Sequence, residues 1–309
     1  MKSHKIFLEG ATKGGLRVPA SVLRGLLAAL EEGVRQATRF AIDGESTKKG
    51  PAPKWLDDAW ESVDFLGLEP GSVAISFEAK PLEEVVPDIG NQLAMFDVSQ
   101  ISRKTPFELF ATVLSDSITK PQEEISADRP LLETCLRFSK SIQSNYSHMR
   151  ISVDGRKESS FVIGQNEIQR IETIKESSPE PRTVRVCGFL DEISATRPDV
   201  WILMEDGTRI RVRLSSTDKE HLRALFGARV ALSGVGKFKP SGQLSLVSAD
   251  RLEEAVDADE VFSCSTAIAS QQLLLRPPKK ESALSDSFGA WPGDESLEEL
   301  IERLREIRR

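Results

Sequence analysis

Val200-Trp201-Ile202-Leu203-Met204-Glu205-Asp206-Gly207-Thr208-Arg209-Ile210-Arg211-Val212-Arg213-Leu214 spells two strands across a tight turn. Asp-Gly between apolar alternations is a strong short-range hairpin signal, because both residues tolerate the positive φ of a type I′ turn. In Thr208–Leu214 the alternation is clean: Ile210, Val212 and Leu214 face one way, Arg209, Arg211 and Arg213 the other. The two-residue period of a strand spaces three guanidinium groups about 7 Å apart on one outer face.

Outward from this hairpin, Thr183–Ser194 reads as a long strand broken by Gly188. Asp218–Phe226, ending at Gly227, reads as a short helix, and Arg229–Lys239 and Gln243–Ala249 as a hairpin around Pro240-Ser241-Gly242. Three strands, a helix and two strands within residues 182–251 give an element order that resembles an OB-type small β-barrel. SH3-like barrels and a plain five-stranded meander fit the same order.

The OB resemblance implies a basic groove with stacking aromatics, the means by which such barrels hold single strands of DNA or RNA. Arg185, Arg209, Arg211, Arg213, Lys237 and Lys239 are the candidate nucleic-acid contacts, with Trp201, Phe189 or Phe238 as stacking rings. Against this, outward positions of any barrel in water are polar, and an arginine ladder near Glu205 and Asp191 can simply pair across strands. Twelve basic against eight acidic side chains in residues 182–251 is a modest excess. Homo-oligomerisation through the barrel stays open.

Upstream, residues 1–176 read as an α+β domain. Lys5–Glu9 and residues 16–18 are expected as short strands around a glycine-rich turn. Val22, Leu23, Leu26, Leu27, Leu30, Val34, Ala37 and Ala41 recur at three- and four-residue steps, an amphipathic helix that stops at Asp43-Gly44. Glu45–Pro53 is too polar to order itself and is expected to be a surface loop. Ser72–Lys80 alternates as a half-buried strand. Pro106–Ser115, Pro130–Ile142 and Asn166–Lys175 read as helices, and 149–153 and 160–163 as strands. Trp55 and Trp60 are expected to pack the core of this domain, and Ser177–Pro181 is the clearest linker. The fold class is therefore α+β, a mixed N-terminal domain followed by a small barrel.

Residues 252–287 are expected as a flexible connector to a helical tail at 288–309. Ser296 and Glu299 form a capping box. Leu297, Leu300, Ile301, Leu304 and Ile307 form one apolar stripe, and Arg303, Arg305, Arg308 and Arg309 sit towards the negative end of the helix dipole. A helix of about thirteen residues is marginal alone in water, so it should dock, on its own body or on another protein.

The string Phe288-Gly289-Ala290-Trp291, with Asp294-Glu295 and the helix after it, resembles the C-terminal tail of type II antitoxins that neutralise PIN-domain ribonuclease toxins. That resemblance covers about 22 of the residues. It implies a bacterial, non-enzymatic toxin-antitoxin inhibitor whose partner is a PIN-domain toxin protein, with Phe288 and Trp291 as aromatic anchors. Asp294 and Glu295 belong to the same motif, Leu297, Leu300, Ile301 and Leu304 fill a groove, and Arg303, Arg305 or Arg308 pair with metal-binding carboxylates. The alternative is a nucleic-acid-binding accessory protein that uses the barrel. The chain departs from that family in having neither of its usual short DNA-binding N-termini.

Composition bounds the remaining choices. The 309 residues are 39 % hydrophobic and 29 % charged, with net charge −7 and a single tyrosine, so the cores should be aliphatic. The longest apolar run, Leu26–Leu30, is far short of the ~20 residues that span a bilayer, and no signal peptide is visible, so a cytoplasmic protein is expected. Cys135, Cys187 and Cys264 are widely spaced, and His4, His148 and His221 stand in no ligand pattern, so neither metal nor other cofactor is expected. His221 and Cys187 read as ordinary packing residues. No nucleophile motif, phosphate loop or acid–base pair emerges, and no enzyme is expected.

Overall fold

Alternation already sorts the first strand into two faces: His4, Ile6 and Leu8 are buried, while Lys5, Phe7 and Glu9 are only half-buried. The computed structural model describes residues 1–11, 17–69, 73–86, 101–154, 160–194, 199–215, 219–250 and 252–262, all within one unit, Met1–Ala267. Its first sheet comprises β1 (Lys2–Ala11), β2 (Val63–Leu68), β3 (Ala74–Ala79), β4 (Tyr146–Ser152) and β5 (Ser160–Ile163), in the antiparallel order β2-β3-β1-β4-β5. Helices α1 (Ala20–Asp43), α2 (Lys54–Glu61), α3 (Leu82–Val85), α4 (Pro106–Thr119), α5 (Arg129–Lys140) and α6 (Gln165–Ser177) accompany it. Side chains of these helices share one hydrophobic cluster with Ile6, Leu8, Ile75 and Phe77 of the sheet.

Local chemistry sets the helix ends. Thr105 Oγ1 accepts from Glu108 N (3.1 Å) and Glu108 Oε2 accepts from Thr105 N (2.7 Å), a closed capping box ahead of Pro106. Asp128 caps α5 by accepting from Leu131 N, and its other oxygen accepts from Ser46 N at 2.8 Å. α1 ends at Gly44, whose φ of 74° suits a residue without a Cβ. Glu45 and Ser46, expected on a surface loop, are buried. Residues 17–18 form no strand, while α2 and β2 are additions that periodicity did not announce. Trp55 and Trp60 do pack, partly buried, against the N-terminal core.

The second sheet closes on itself. β6 (Arg182–Ile193), β7 (Asp199–Leu203), β8 (Arg209–Leu214), β9 (Arg229–Phe238) and β10 (Leu244–Ala249) form the ring β6-β7-β8-β10-β9-β6. Every pairing is antiparallel except β8–β10, and a short helix, α7 (Lys219–Ala224), joins β8 to β9. A meander would pair β8 with β9; the parallel closure of third strand on fifth is the OB arrangement. Val186, Leu190, Ile202, Ile210, Val212 and Leu232 are among the aliphatic side chains that fill it.

Gly188 does not break β6. A Cβ there would lie 2.6 Å from Ile202 Cγ2 and 2.7 Å from Leu203 O, so glycine lets β6 lie against β7. Residues 252–262, expected within the flexible connector, instead add β11 (Glu253–Glu254) to β9 and a 3-10 turn at Asp257–Phe262. Among the described residues no helix is long and apolar enough to cross a membrane.

Two outcomes follow from the N-terminal core. A Cβ on Gly33 would sit 2.4 Å from the ring of Phe110, which is buried edge-on against Phe138. Gly33→Ala therefore lowers stability by about 1–3 kcal/mol in urea denaturation, against the ~1 kcal/mol that alanine ordinarily adds to a helix.

His4 is fully buried, stacked 4.5 Å from Phe107 and hydrogen-bonded to Thr105 Oγ1 and Asp154 N, and burial depresses its pKa from 6.5 to about 4. Between those values the unfolded chain binds more protons, so stability falls as pH drops from 6.5 towards 4. Denaturant titrations should show a loss of about 2 kcal/mol between pH 7.5 and 5, and a smaller one in His4→Gln. Equal slopes in the two proteins would refute that assignment.

Candidate nucleic-acid interface

The outer face of β7 and β8 corresponds to the second and third strands of the barrel, the face through which OB barrels take oligonucleotides, flanked by the β9–β10 turn. Register places Asp199 opposite Arg213, Trp201 opposite Arg211, and Leu203 opposite Arg209. The three arginines share this face, as their alternation requires, but they do not share an environment.

Arg211 and Arg213 both donate to Asp199, Arg211 Nε at 3.0 Å and Arg213 Nε at 3.0 Å. Arg213 also pairs with Glu45 and donates to the carbonyl of Asp43 at 3.1 Å. Lys237, on β9, pairs with the other oxygen of Glu45 and reaches the carbonyl of Thr47 at 3.3 Å. The side chains of Arg211, Asp199 and Glu45 are 7 %, 4 % and 5 % exposed, so the chain end of α1 covers this half of the face. Burial alone would raise the pKa of Asp199, but Arg211 and Arg213 outweigh it and hold the carboxyl below the ordinary aspartate value. Burial likewise opposes the charge of Arg213, while Asp199 and Glu45 raise its pKa.

Three of the six cations chosen from sequence are thus neutralised at the seam between barrel and N-terminal domain. A fourth, Arg185, donates to Asp259 at 2.6 Å and to Ser233 Oγ at 3.2 Å. Arg209 and Lys239 remain at the open half of the face. Arg209 pairs with Asp191 at 2.5 Å, yet its side chain stays 45 % exposed and its guanidinium lies over the Trp201 ring at 5.7 Å. Of the proposed stacking rings, Phe238 is buried in the barrel, with Arg182 5.1 Å from its centroid, and Phe189 is exposed.

A cleft of about 370 Å³ opens here between the barrel and the helices α1 and α4. Trp201, Arg209 and Lys239 line it from the barrel; Phe40, Ala41 and Val113 line it from the helices. The indole Nε1 of Trp201 is buried and meets no acceptor among the described residues. Sequence reasoning had named Trp201, Arg209 and Lys239, but not the apolar wall opposite them. The amphipathic period of α1 includes Ala41 but not Phe40.

Elsewhere, His221 Nε2 lies 3.1 Å from the carbonyl of Leu252 and Cys187 is buried in the barrel, both packing positions. No group of three His, Cys, Asp or Glu among the described residues is placed to hold a metal ion. Phe288, Trp291, Asp294, Glu295, Leu297, Leu300, Ile301, Arg303, Leu304, Arg305 and Arg308 lie outside the described residues.

No family model and no curated protein matches the chain. Among solved structures, replication protein A of U. maydis bound to single-stranded DNA is similar at 13 % identity over 33 % of this chain and 82 % of that one, with a TM-score of 0.20. The OB arrangement of the barrel stands on its strand order, not on that likeness.

Removing the seam carboxylate should be costly. Glu45→Ala leaves Arg213 and Lys237 facing each other without it, and is expected to lower stability by about 1–3 kcal/mol, less than for a fully buried pair because both cations keep some solvent. Thermal or urea unfolding of Glu45→Ala beside Glu45→Gln, which keeps an acceptor, measures this. A melting curve indistinguishable from the parent would show that the seam does not depend on Glu45.

Proposed function

We propose that this chain is a non-catalytic accessory protein that binds single-stranded nucleic acid at the open half of the barrel face. The observation that carries the reading is Trp201 under the Arg209 guanidinium, with Lys239 beside it on the β9–β10 turn, on the face OB barrels use. An aromatic face offers stacking that any base satisfies, worth about 1–3 kcal/mol per base, and the two cations can meet phosphates. The antitoxin-like reading of residues 288–309 draws no support from the described residues or from the comparisons.

The expected mode is stacking-led, with few phosphate contacts. With Lys239 engaged and Arg209 shared with Asp191 and Glu192, the slope of log K against log salt for a single strand should be no steeper than about −1.4, shallow beside that of a basic groove. Fluorescence anisotropy with a labelled oligonucleotide at low salt tests this. Arg209→Ser combined with Lys239→Ser should weaken binding and flatten the slope to near zero, with thermal melting unchanged. Absence of binding by the parent protein, or full binding by the double variant, would overturn the proposal.

A further inference from the structure

The cleft beside Trp201 is walled by helices as well as by the barrel. Besides the barrel residues, much of the cleft's lining comes from α1 and α4, with Gly44 and Arg211, next to the buried Glu45 and Asp199, also on its wall. A volume of about 370 Å³ lies at the small end of the ~300–1,000 Å³ usual for pockets that enclose one small molecule. We infer that this pocket, where the barrel meets the N-terminal helices, takes a single nucleotide, base against Trp201 and phosphate towards Lys239 and Arg209. This deepens the proposed function and rests on it for the identity of the face.

The lining specifies that chemistry group by group. Trp201 supplies a flat apolar surface, and Phe40, Ala41 and Val113 face it with more apolar surface, so the occupant carries a planar ring. The buried Trp201 Nε1–H has no acceptor, and an unsatisfied buried donor costs free energy that a ring carbonyl or ring nitrogen would recover.

Most other polar groups of the pocket are already engaged. Thr112 Oγ1 donates to Glu108 O at 2.7 Å, Ser245 Oγ donates to Lys237 O at 3.1 Å, and Asp116 holds Lys120 at 3.1 Å. Arg211 belongs to Asp199, and Arg209 is held by both Asp191 and Glu192. Lys239 has no carboxylate partner among the described residues, so it is the cation at the mouth left to meet an anion. A planar heterocycle with an acceptor edge and an attached anion describes a nucleotide. The N-terminal domain then acts as a wall that sets how many bases enter.

Two sources offer that chemistry: the terminus of a single strand and a free mononucleotide. Calorimetric titration of the full chain with AMP and UMP, and anisotropy with a linear oligonucleotide competed by AMP, UMP and circular single-stranded DNA, separates them. Expected is direct binding of a mononucleotide that also displaces the linear strand, with circular DNA a poor competitor because it has no terminus.

Trp201→Ala should weaken mononucleotide binding about 10-fold or more. Ala41→Leu, which fills the pocket from the helical wall and leaves the barrel untouched, should do the same if the tryptophan variant proves unstable. Linear and circular strands binding alike, with no competition from mononucleotides and no effect of Ala41→Leu, would overturn the pocket and leave the strand-binding function standing. A mononucleotide that binds while no strand does would keep the pocket, assign it to the free ligand and overturn the strand-binding function. No binding of any probe would overturn both.

Discussion

Glu45 sits one residue beyond the glycine that ends α1, and its carboxylate is shared between Arg213 of β8 and Lys237 of β9. The packing of the N-terminal helices on the barrel turns on that contact. A strand with three outward arginines must either keep them hydrated or supply partners as it buries them, because a bare charge taken from water is costly. Here Asp199 and Glu45 alternate with Arg211, Arg213 and Lys237, so the buried charges form a continuous network. Gly44 has two reasons to be glycine: its φ is 74°, and a Cβ would approach Arg211 Nη1 to 3.2 Å. Such a network specifies geometry more than it adds stability, since well-packed apolar residues often serve as well energetically.

The same network decides what the barrel face can do. With Arg211, Arg213 and Lys237 neutralised, the usual path of a strand across the second and third strands is closed at one end. What remains is an indole, a half-exposed arginine already balanced by acids, and one lysine. The face has changed from an electrostatic track into a small aromatic recess. That change comes from Glu45, just beyond α1, together with Asp199 of the barrel itself.

The barrel was largely legible. Asp206-Gly207, the alternation of residues 208–214 and the glycine-ended helix fixed element order, because each signal is local and each strand has one buried side. The parallel closure of β8 on β10 was not legible, since pairing between distant strands leaves no local mark. β2 escaped for a physical reason: it is an edge strand with Phe65, Leu66 and Leu68 exposed and an irregular register around Gly67, so its burial follows no period. The site was half legible. Alternation placed the arginines on one face correctly, but hydropathy makes Glu45 look solvated. Its partner Arg213 lies 168 residues away, beyond the reach of any spacing argument.

Charge counting was the weakest guide, and the structure explains why. The excess of basic over acidic residues in the barrel is modest, and many of those cations are satisfied from outside the barrel or across its strands. Arg213 and Lys237 are answered by Glu45 of the N-terminal domain, and Arg185 by Asp259 of the 3-10 turn. Coulomb attraction falls off within about 10 Å at ordinary salt, so a phosphate senses the local residue of charge and not the sum over a module. At the recess Arg209 faces two acids, and Lys239 is the cation without one among the described residues. Affinity there must come from stacking and from relief of the buried indole donor, both short-ranged and directional, which favours a ligand small enough to be enclosed over one that is merely polyanionic.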